Sequence, residues 1–576
     1  MKLHLPQLPA HAKKWITLDL LGGIAGVAGG LGSVIFRLMI KINEHIFFDL
    51  LLPHISVYVG ELNLGIILLP ALGGLIIGPI IMHFAPETKG HGVPEVMEAV
   101  ALKGGYIRKR VAFLKVLVSS ITIGSGGSAG REGPIAQIGS TIGSFLGQVF
   151  KLKPEDKKLL VVCGLSAGIA GTFNAPLGGA LFGMEILLRG IGLFNAIPVI
   201  LASVIGAAVA ASFLGQKPAF NAEGLASWTP PELIFYAILG LVFGIISVIW
   251  VKTFYAIEDI FENLKIPSKY KPALGGLATG FLAMLYSEHG IKGVGYEGVN
   301  MALAGELSLL LLLTLGVLKM IATSCTVGSG GSGGVFAPSL YIGSMLGAAM
   351  GLLFSLLFPS IVHQPFTYAL AGMAALFAGA AQAPINVIIM IPEMSNDFSL
   401  IPPIMISSSI SFFVAWLILR GSSIYTIKLY RRGIVLRMGR PFVLDLIKVE
   451  EVMTRKVITV SPDMPASILE LFFEEHHHTG YPVVKKGRLV GMVTISDLQK
   501  IPHSMRDKVK ISEILSKDII VAYPDETVHA ALDKMYENNV GRLPVVDRKD
   551  PKRLLGIISK HDILRAHEIA AKRPAE

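Results

Sequence analysis

The chain has 576 residues, 52% of them hydrophobic and 16% charged, with a mean hydropathy of +0.61, a level soluble domains seldom reach. Its formal net charge of +10 gathers beside apolar segments, and no basic soluble face with a recognition motif accompanies it, which argues against nucleic-acid binding. Both cysteines, Cys163 and Cys325, lie in or beside apolar stretches, so neither a disulfide framework nor a cysteine metal site is expected.

Lys13-Lys14 precede a long apolar stretch without a small-residue cleavage pattern, so no removable signal peptide is expected. Apolar runs follow at 64–82, 159–188, 233–251, 307–321, 336–358, 366–391 and 400–419. Several reach the roughly 20 residues that span hydrocarbon, and others are cut by Gly or Pro, as tilted or re-entrant pieces would be. Arg108-Lys109-Arg110 sit in one loop, and Lys428, Arg431, Arg432, Arg437 and Arg440 follow the last run. Such clusters mark the cytoplasmic side and read as solvated charge.

The apolar part repeats itself. GSGGSAGREGP (124–134) matches GSGGSGGVFAP (328–338) at a constant offset of 204, and the stretch from Gly164 matches that from Gly372, setting Ala175-Pro176 on Ala383-Pro384 and Glu185 on Glu393. A duplicated membrane unit with helices broken by Gly and Pro is the mark of a transporter whose site lies where the repeats meet. Non-helical glycine-rich backbone survives at membrane depth only inside protein or beside a water-filled cavity. Each stretch opens into an apolar segment, so bare N–H groups and the helix dipole favour an anion there. No Gly-Lys-Ser/Thr follows, and the flanks are membrane-grade, which removes P-loop and dinucleotide-binding readings.

After Arg440 the apolar spans stop and a second repeat begins. EEVMTRKVITVSPD from Glu450 matches SEILSKDIIVAYPD from Ser512 at an offset of 62, each copy carrying a helical stretch, strand patterns and an Asp-led helix at Asp497 or Asp562. This alternation reads as a soluble α/β domain. It resembles a tandem pair of CBS modules from about Val449 to His567, a family whose cleft often takes adenine nucleotides. The resemblance implies contacts to ATP, ADP or AMP at Thr494, Asp497, Ser559 and Asp562. The competing reading is helix capping by Thr494 and Ser559. His476-His477-His478 map onto Asn538, Asn539 and Val540 in the second copy, so a helix-terminal polar run is expected there and no metal site.

GHGVP (90–94), GREGP (130–134) and GVFAP (334–338), in that order, with FNAPLGG from Phe173 and SIYTIKL around Tyr425, resemble the CLC family of chloride channels and chloride/proton antiporters over about 20–432. The expected fold is an all-α polytopic membrane protein with an inverted internal repeat, followed by a soluble α/β tandem CBS domain. Expected boundaries are an N-terminal segment 1–19, the transport domain 20–432 (repeats about 20–215 and 232–430), a linker 433–448, CBS modules 449–507 and 508–567, and a tail 568–576. The resemblance implies a homodimer in the lipid bilayer of the plasma (inner) membrane, cytosolic termini, chloride and protons as transported partners, no required cofactor and no enzymatic activity.

By the same resemblance Glu132 is the gating and proton-carrying residue, a tethered carboxylate that competes with the anion and leaves when protonated. The anion-binding set is His91, Gly92, Arg131, Gly133, Val335, Phe336, Ala337 and Tyr425, with backbone N–H groups acting around Phe336 and a hydroxyl from Tyr425. Two positions depart from the family pattern. His91 stands where serine is common, and its imidazole either donates to the anion or points away. Ile186 stands where antiporters carry an inner acid. Chloride/proton exchange is the first expectation, and a voltage- or pH-gated chloride channel is the alternative. Fluoride export is disfavoured by the GREGP proline and Tyr425, and a nucleotide-sensing scaffold with a vestigial pore by Glu132 and the paired helix starts.

Overall fold

The matched Ala-Pro steps show how the sequence breaks its own helices. Asn174 and Gln382 both adopt left-handed backbone, with φ of +54° and +58°, and end the helices Pro154–Phe173 and Thr367–Ala381. Pro176 and Pro384, which need no N–H partner at a first helical position, start Pro176–Gly183 and Pro384–Ser395. The apolar runs 159–188 and 366–391 are therefore each two helices meeting at a corner.

The computed structural model describes residues 10–188, 193–216, 218–220, 222, 228–434, 436–437, 440–441, 447–476 and 478–563. The chain forms two units, one of 1–433 with 438–440 and one of 434–437 with 441–576. Among the described residues of the first, seven helical stretches are long and apolar enough to cross a membrane: Lys13–Ile55, Gly65–Phe84, Asn195–Leu214, Pro230–Asn263, Leu309–Gly328, Phe336–Leu357 and Phe398–Leu419. Lys13–Ile55 covers the long apolar stretch that follows Lys13-Lys14, whereas Asn195–Leu214 lies outside the apolar runs expected from sequence. The first is interrupted by Asp19, Arg37 and Lys41, and the second is diluted by Ala, Ser and Gly. Large apolar side chains such as Phe113, Leu310 and Phe213 stay exposed, as lipid-facing surface does. The protein is an integral membrane protein.

Matched residues of the two repeats meet each other. Gly130 and Gly334 exchange both backbone hydrogen bonds, at 2.8 and 2.7 Å, in an antiparallel bridge. Equivalent residues that pair reciprocally lie about a local two-fold, and here the halves run in opposite directions. The same symmetry recurs at two carboxylates. Glu185 accepts from the N–H groups of Ile385 and Asn386 at 3.1 and 2.6 Å, and Glu393 accepts from those of Leu177 and Gly178 at 2.9 and 2.6 Å. Each repeat thus caps the exposed N-terminus of the other's proline-started helix, where orphan N–H groups and the dipole favour an anion.

The second unit holds two antiparallel hairpins, Gly480–Lys485 with Arg488–Thr494 and Arg542–Val546 with Leu554–Ser559. The helices Ala466–His476 and Val528–Glu537 stand beside them. The two copies exchange their leading segments. Ile447, Val449 and Met453 pack in a core with Val528, Leu543 and Ile558, while Ile511 packs with Phe473, Val483 and Val493.

Candidate functional site

Three helix starts converge in the membrane unit: Val93–Leu102, Glu132–Val149 and Phe336–Leu357. The loop before the first is turned by Gly90 and Gly92, at φ of +77° and +81°, a region that suits glycine. The buried Lys115 ammonium donates to the carbonyls of Thr88 and Gly90, both at 3.0 Å, and fixes that loop from behind. Backbones approach closely where the motifs meet. A Cβ at Gly133 would strike the His91 carbonyl, and one at Gly334 would strike the Glu132 carboxylate.

Glu132 is fully buried, and its Oε1 accepts from the Phe336 N–H at 2.6 Å. A carboxylate from one repeat thus occupies the helix start of the other, where bare N–H groups favour negative charge. Val335, Phe336 and Ala337 are all buried. The Phe336 ring packs against Phe173 and Phe377, with centroids 5.4 and 4.5 Å away, so its amide and not its side chain meets the acid.

Tyr425 is buried whereas Tyr430 is 44% exposed. The Tyr425 ring lies 5.6 Å from that of His91, and His91 lies 5.8 Å from Phe254. The Tyr425 hydroxyl, both His91 ring nitrogens and Glu132 Oε2 are buried without a hydrogen-bond partner. Buried polar atoms are nearly always partnered, so this cluster marks where a small polar or ionic species fits. The structure brings together His91, Gly92, Glu132, Gly133, Val335, Phe336, Ala337 and Tyr425. Arg131 stands to one side: its guanidinium lies over the Tyr296 ring at 5.1 Å. It lines a concavity of about 780 Å³ with Arg37, Lys41, Lys292, Glu44 and Glu297.

Sequence reasoning missed Lys115, its matched Lys319 and Glu95. Lys319 donates to the carbonyls of Gly290, Ile291 and Gly293 at 2.8 to 3.1 Å. Identical lysines at the 204 offset inside apolar segments were the available signal. Part of the basic run after the last span is ion-paired, with Arg431 and Arg432 still exposed. Lys428 and Arg432 each pair with Glu95 at 3.0 Å, Arg432 also meets Glu98 at 3.1 Å, and Arg431 meets Asp259 at 2.5 Å. The acids come from distant helices, which a local reading cannot see.

In the tail, the Thr494 hydroxyl donates to Asp497 Oδ2 at 2.6 Å and the Thr494 N–H at 3.0 Å. Ser559 does the same to Asp562, at 2.6 and 2.8 Å. Both pairs therefore form helix-starting caps. Burial pushes the Asp497 carboxyl up, but hydrogen bonds from Thr494 and Lys500 outweigh it and hold the group below its ordinary value. Asp562 Oδ1 accepts from the Thr454 hydroxyl at 3.4 Å. His476 and His478 stack at 6.5 Å, and His477 lies outside the described residues. Among the described residues no cluster of three His, Cys, Asp or Glu could hold a metal.

The voltage gated chloride channel family model matches residues 73–416, and the CBS domain model matches 449–504 and 511–568. A putative chloride channel protein ClcB-like of Ralstonia nicotianae is 28% identical over 414 residues, 69% of this chain and 92% of the relative. The H(+)/Cl(-) exchange transporter ClcA of Yersinia pestis is 33% identical over 333 residues, 57% of this chain and 70% of the relative. The crystal structure of a slow cyanobacterial Cl-/H+ antiporter aligns with a TM-score of 0.64 at 26% identity, covering 72% of this chain and 97% of that one.

Proposed function

The chain belongs to the voltage-gated chloride channel (CLC) family, and on that premise we propose that it exchanges chloride for protons across a membrane, with Glu132 as gate and proton carrier. One observation carries the reading: the Glu132 carboxylate accepts from the Phe336 amide at 2.6 Å, the place a transported anion would take. While ionised it blocks that place. Once protonated it loses the charge that the helix start favours and gives way to chloride. Each departure then moves a proton, and each return follows loss of the proton on the other side. His91, Gly92, Gly133, Val335, Ala337 and Tyr425 complete the anion's surroundings, and Arg131 draws anions into the outer concavity.

The chain acts as a homodimer in the plasma or inner membrane with cytosolic termini. Support comes from the exposed apolar faces of Asn195–Leu214 and Phe398–Leu419, the least buried of the seven spans, and from the basic segment 428–432 as an inward marker. Adenine nucleotide bound by the CBS pair near Thr494, Asp497, Ser559 and Asp562 adjusts the rate.

The test is chloride efflux from proteoliposomes with simultaneous external pH recording. Proton uptake driven by chloride is the expected result. Chloride flux with no linked proton movement would leave a gated channel, the alternative that Ile186 keeps open.

A further inference from the structure

The concavity beside Arg131 carries positive charge that no carboxylate answers. Arg131 is 8% exposed, and its Nε is buried without a hydrogen-bond partner. Arg37, from the first spanning helix, and Lys292 are partly buried in the same wall, and Arg37 lies within electrostatic reach of Arg131. Among the described residues none of these three cations forms an ion pair. The acids that line the concavity, Glu44, Asp49, Glu288 and Glu297, are all exposed. The floor is therefore positive and the rim negative, and water and salt screen the rim far more than the floor. Charges withdrawn from water are ordinarily paired, and here the partner has to come from solution.

We infer that this concavity is a second anion site, separate from the one around Glu132, and that it takes a small oxyanion of the carboxylate or phosphate class. A guanidinium presents its N–H donors in a planar fork that matches two oxygens at once, and a halide offers it only one atom. A volume of about 780 Å³ is that of a site for a polyatomic ligand and not for a single ion.

The internal repeat supports the same conclusion from a different direction. Lys89-Gly90-His91-Gly92 matches Lys292-Gly293-Val294-Gly295 at an offset of 203. Gly293 and Gly295 take φ of +59° and +93°, as their mates do. Lys319 holds the carbonyls of Ile291 and Gly293, as Lys115 holds those of Thr88 and Gly90. The loops open Val93–Leu102 in one repeat and Tyr296–Leu303 in the other. The first of these helix starts converges with those of Glu132 and Phe336. Its mate borders the concavity through Gly293, Val294 and Tyr296, and the first N–H groups of such a start lack intrahelical partners and favour negative charge. Because Arg131 directly precedes Glu132, an oxyanion held there sets negative charge beside the gate and slows chloride. That effect rests on the function proposed above; the binding does not.

Calorimetry on the full chain in chloride-free detergent solution, with inorganic phosphate as probe, reads the binding, and chloride efflux from proteoliposomes in its presence reads the effect. Phosphate should bind the wild type and slow efflux. Arg37→Gln should weaken phosphate about tenfold or more and keep basal flux, and Arg37→Lys, which retains the charge but not the fork, should weaken it severalfold. Tyr425→Ala should bind phosphate as the wild type does. Should Arg37→Gln not fold, Arg37→Lys decides: a fall supports the site and an unchanged affinity overturns it. No binding to the wild type, or a loss of binding in Tyr425→Ala, also overturns it. Binding that depends on Arg37 but leaves efflux unchanged keeps the site and overturns its action on the gate. Chloride flux without protons would overturn exchange and leave the phosphate result standing.

Discussion

Replacing Glu132 by Gln keeps the side chain's size but removes both its charge and its ability to cycle a proton. Chloride flux should persist in Glu132→Gln and lose its dependence on pH, while chloride-driven proton uptake disappears; proteoliposome flux with pH recording checks both. Tyr425→Ala removes one neutral donor, worth about 0.5–1.5 kcal/mol, so anion affinity measured by calorimetry should fall partially and not vanish. Tyr430→Ala, at an exposed site, should leave it alone. In the tail, the lowered Asp497 carboxyl fixes the sign of a pH effect. Its folded form binds its proton less readily than the unfolded form, so its stabilisation is present above the unfolded value of about 3.9. That stabilisation is lost as pH falls through the lower folded value. Asp497→Asn should flatten this acid limb in thermal unfolding, and only modestly, because its partner Lys500 is exposed and solvent screens the pair.

Among helices, the reciprocal caps by Glu185 and Glu393 are the feature most open to test. Each carboxylate satisfies two N–H groups on the opposite repeat, and hydrogen bonds to charged groups contribute about 1.5–3 kcal/mol each. Glu185→Ala and Glu393→Ala should each lower the unfolding temperature in detergent by similar amounts, since they are equivalent by symmetry. A shift in one variant and none in the other would break that equivalence. The register of the pair was legible, because Glu185 and Glu393 align in the repeat. What they bind was not, because the partners lie 200 or more residues away and no local pattern announces them. The same distance explains why Lys428, Arg431 and Arg432 read as free charge: Glu95, Glu98 and Asp259 arrive from other helices.

Over the whole molecule, the tail copies are bound to each other through exchanged leading segments, with Val449 in one core and Ile511 in the other. Removing either segment should therefore unfold both copies, which a truncation series followed by limited proteolysis would show. Asp562→Ala should abolish any change in transport rate caused by ATP, ADP or AMP and leave basal flux intact. A nucleotide response that survives in Asp562→Ala would move the site elsewhere. In solution the detergent-extracted particle should hold two chains of 61.6 kDa, read by light scattering.

The sequence by itself determined the membrane character, the two repeats and the helix starts that favour an anion. These depend on local composition, on glycine and proline geometry, and on registers countable along the chain. It also located Glu132, Phe336 and Tyr425 as candidates through motifs. Only the tertiary structure decided that the repeats face each other in opposite directions, because an alignment carries no orientation and the exchange between Gly130 and Gly334 does. Only the structure separated Arg131, in a concavity with Arg37 and Lys292, from the residues around Glu132. And only the structure set His91 beside Tyr425 with Glu95 close behind, since which buried polar atoms are left without partners depends on how distant helices pack.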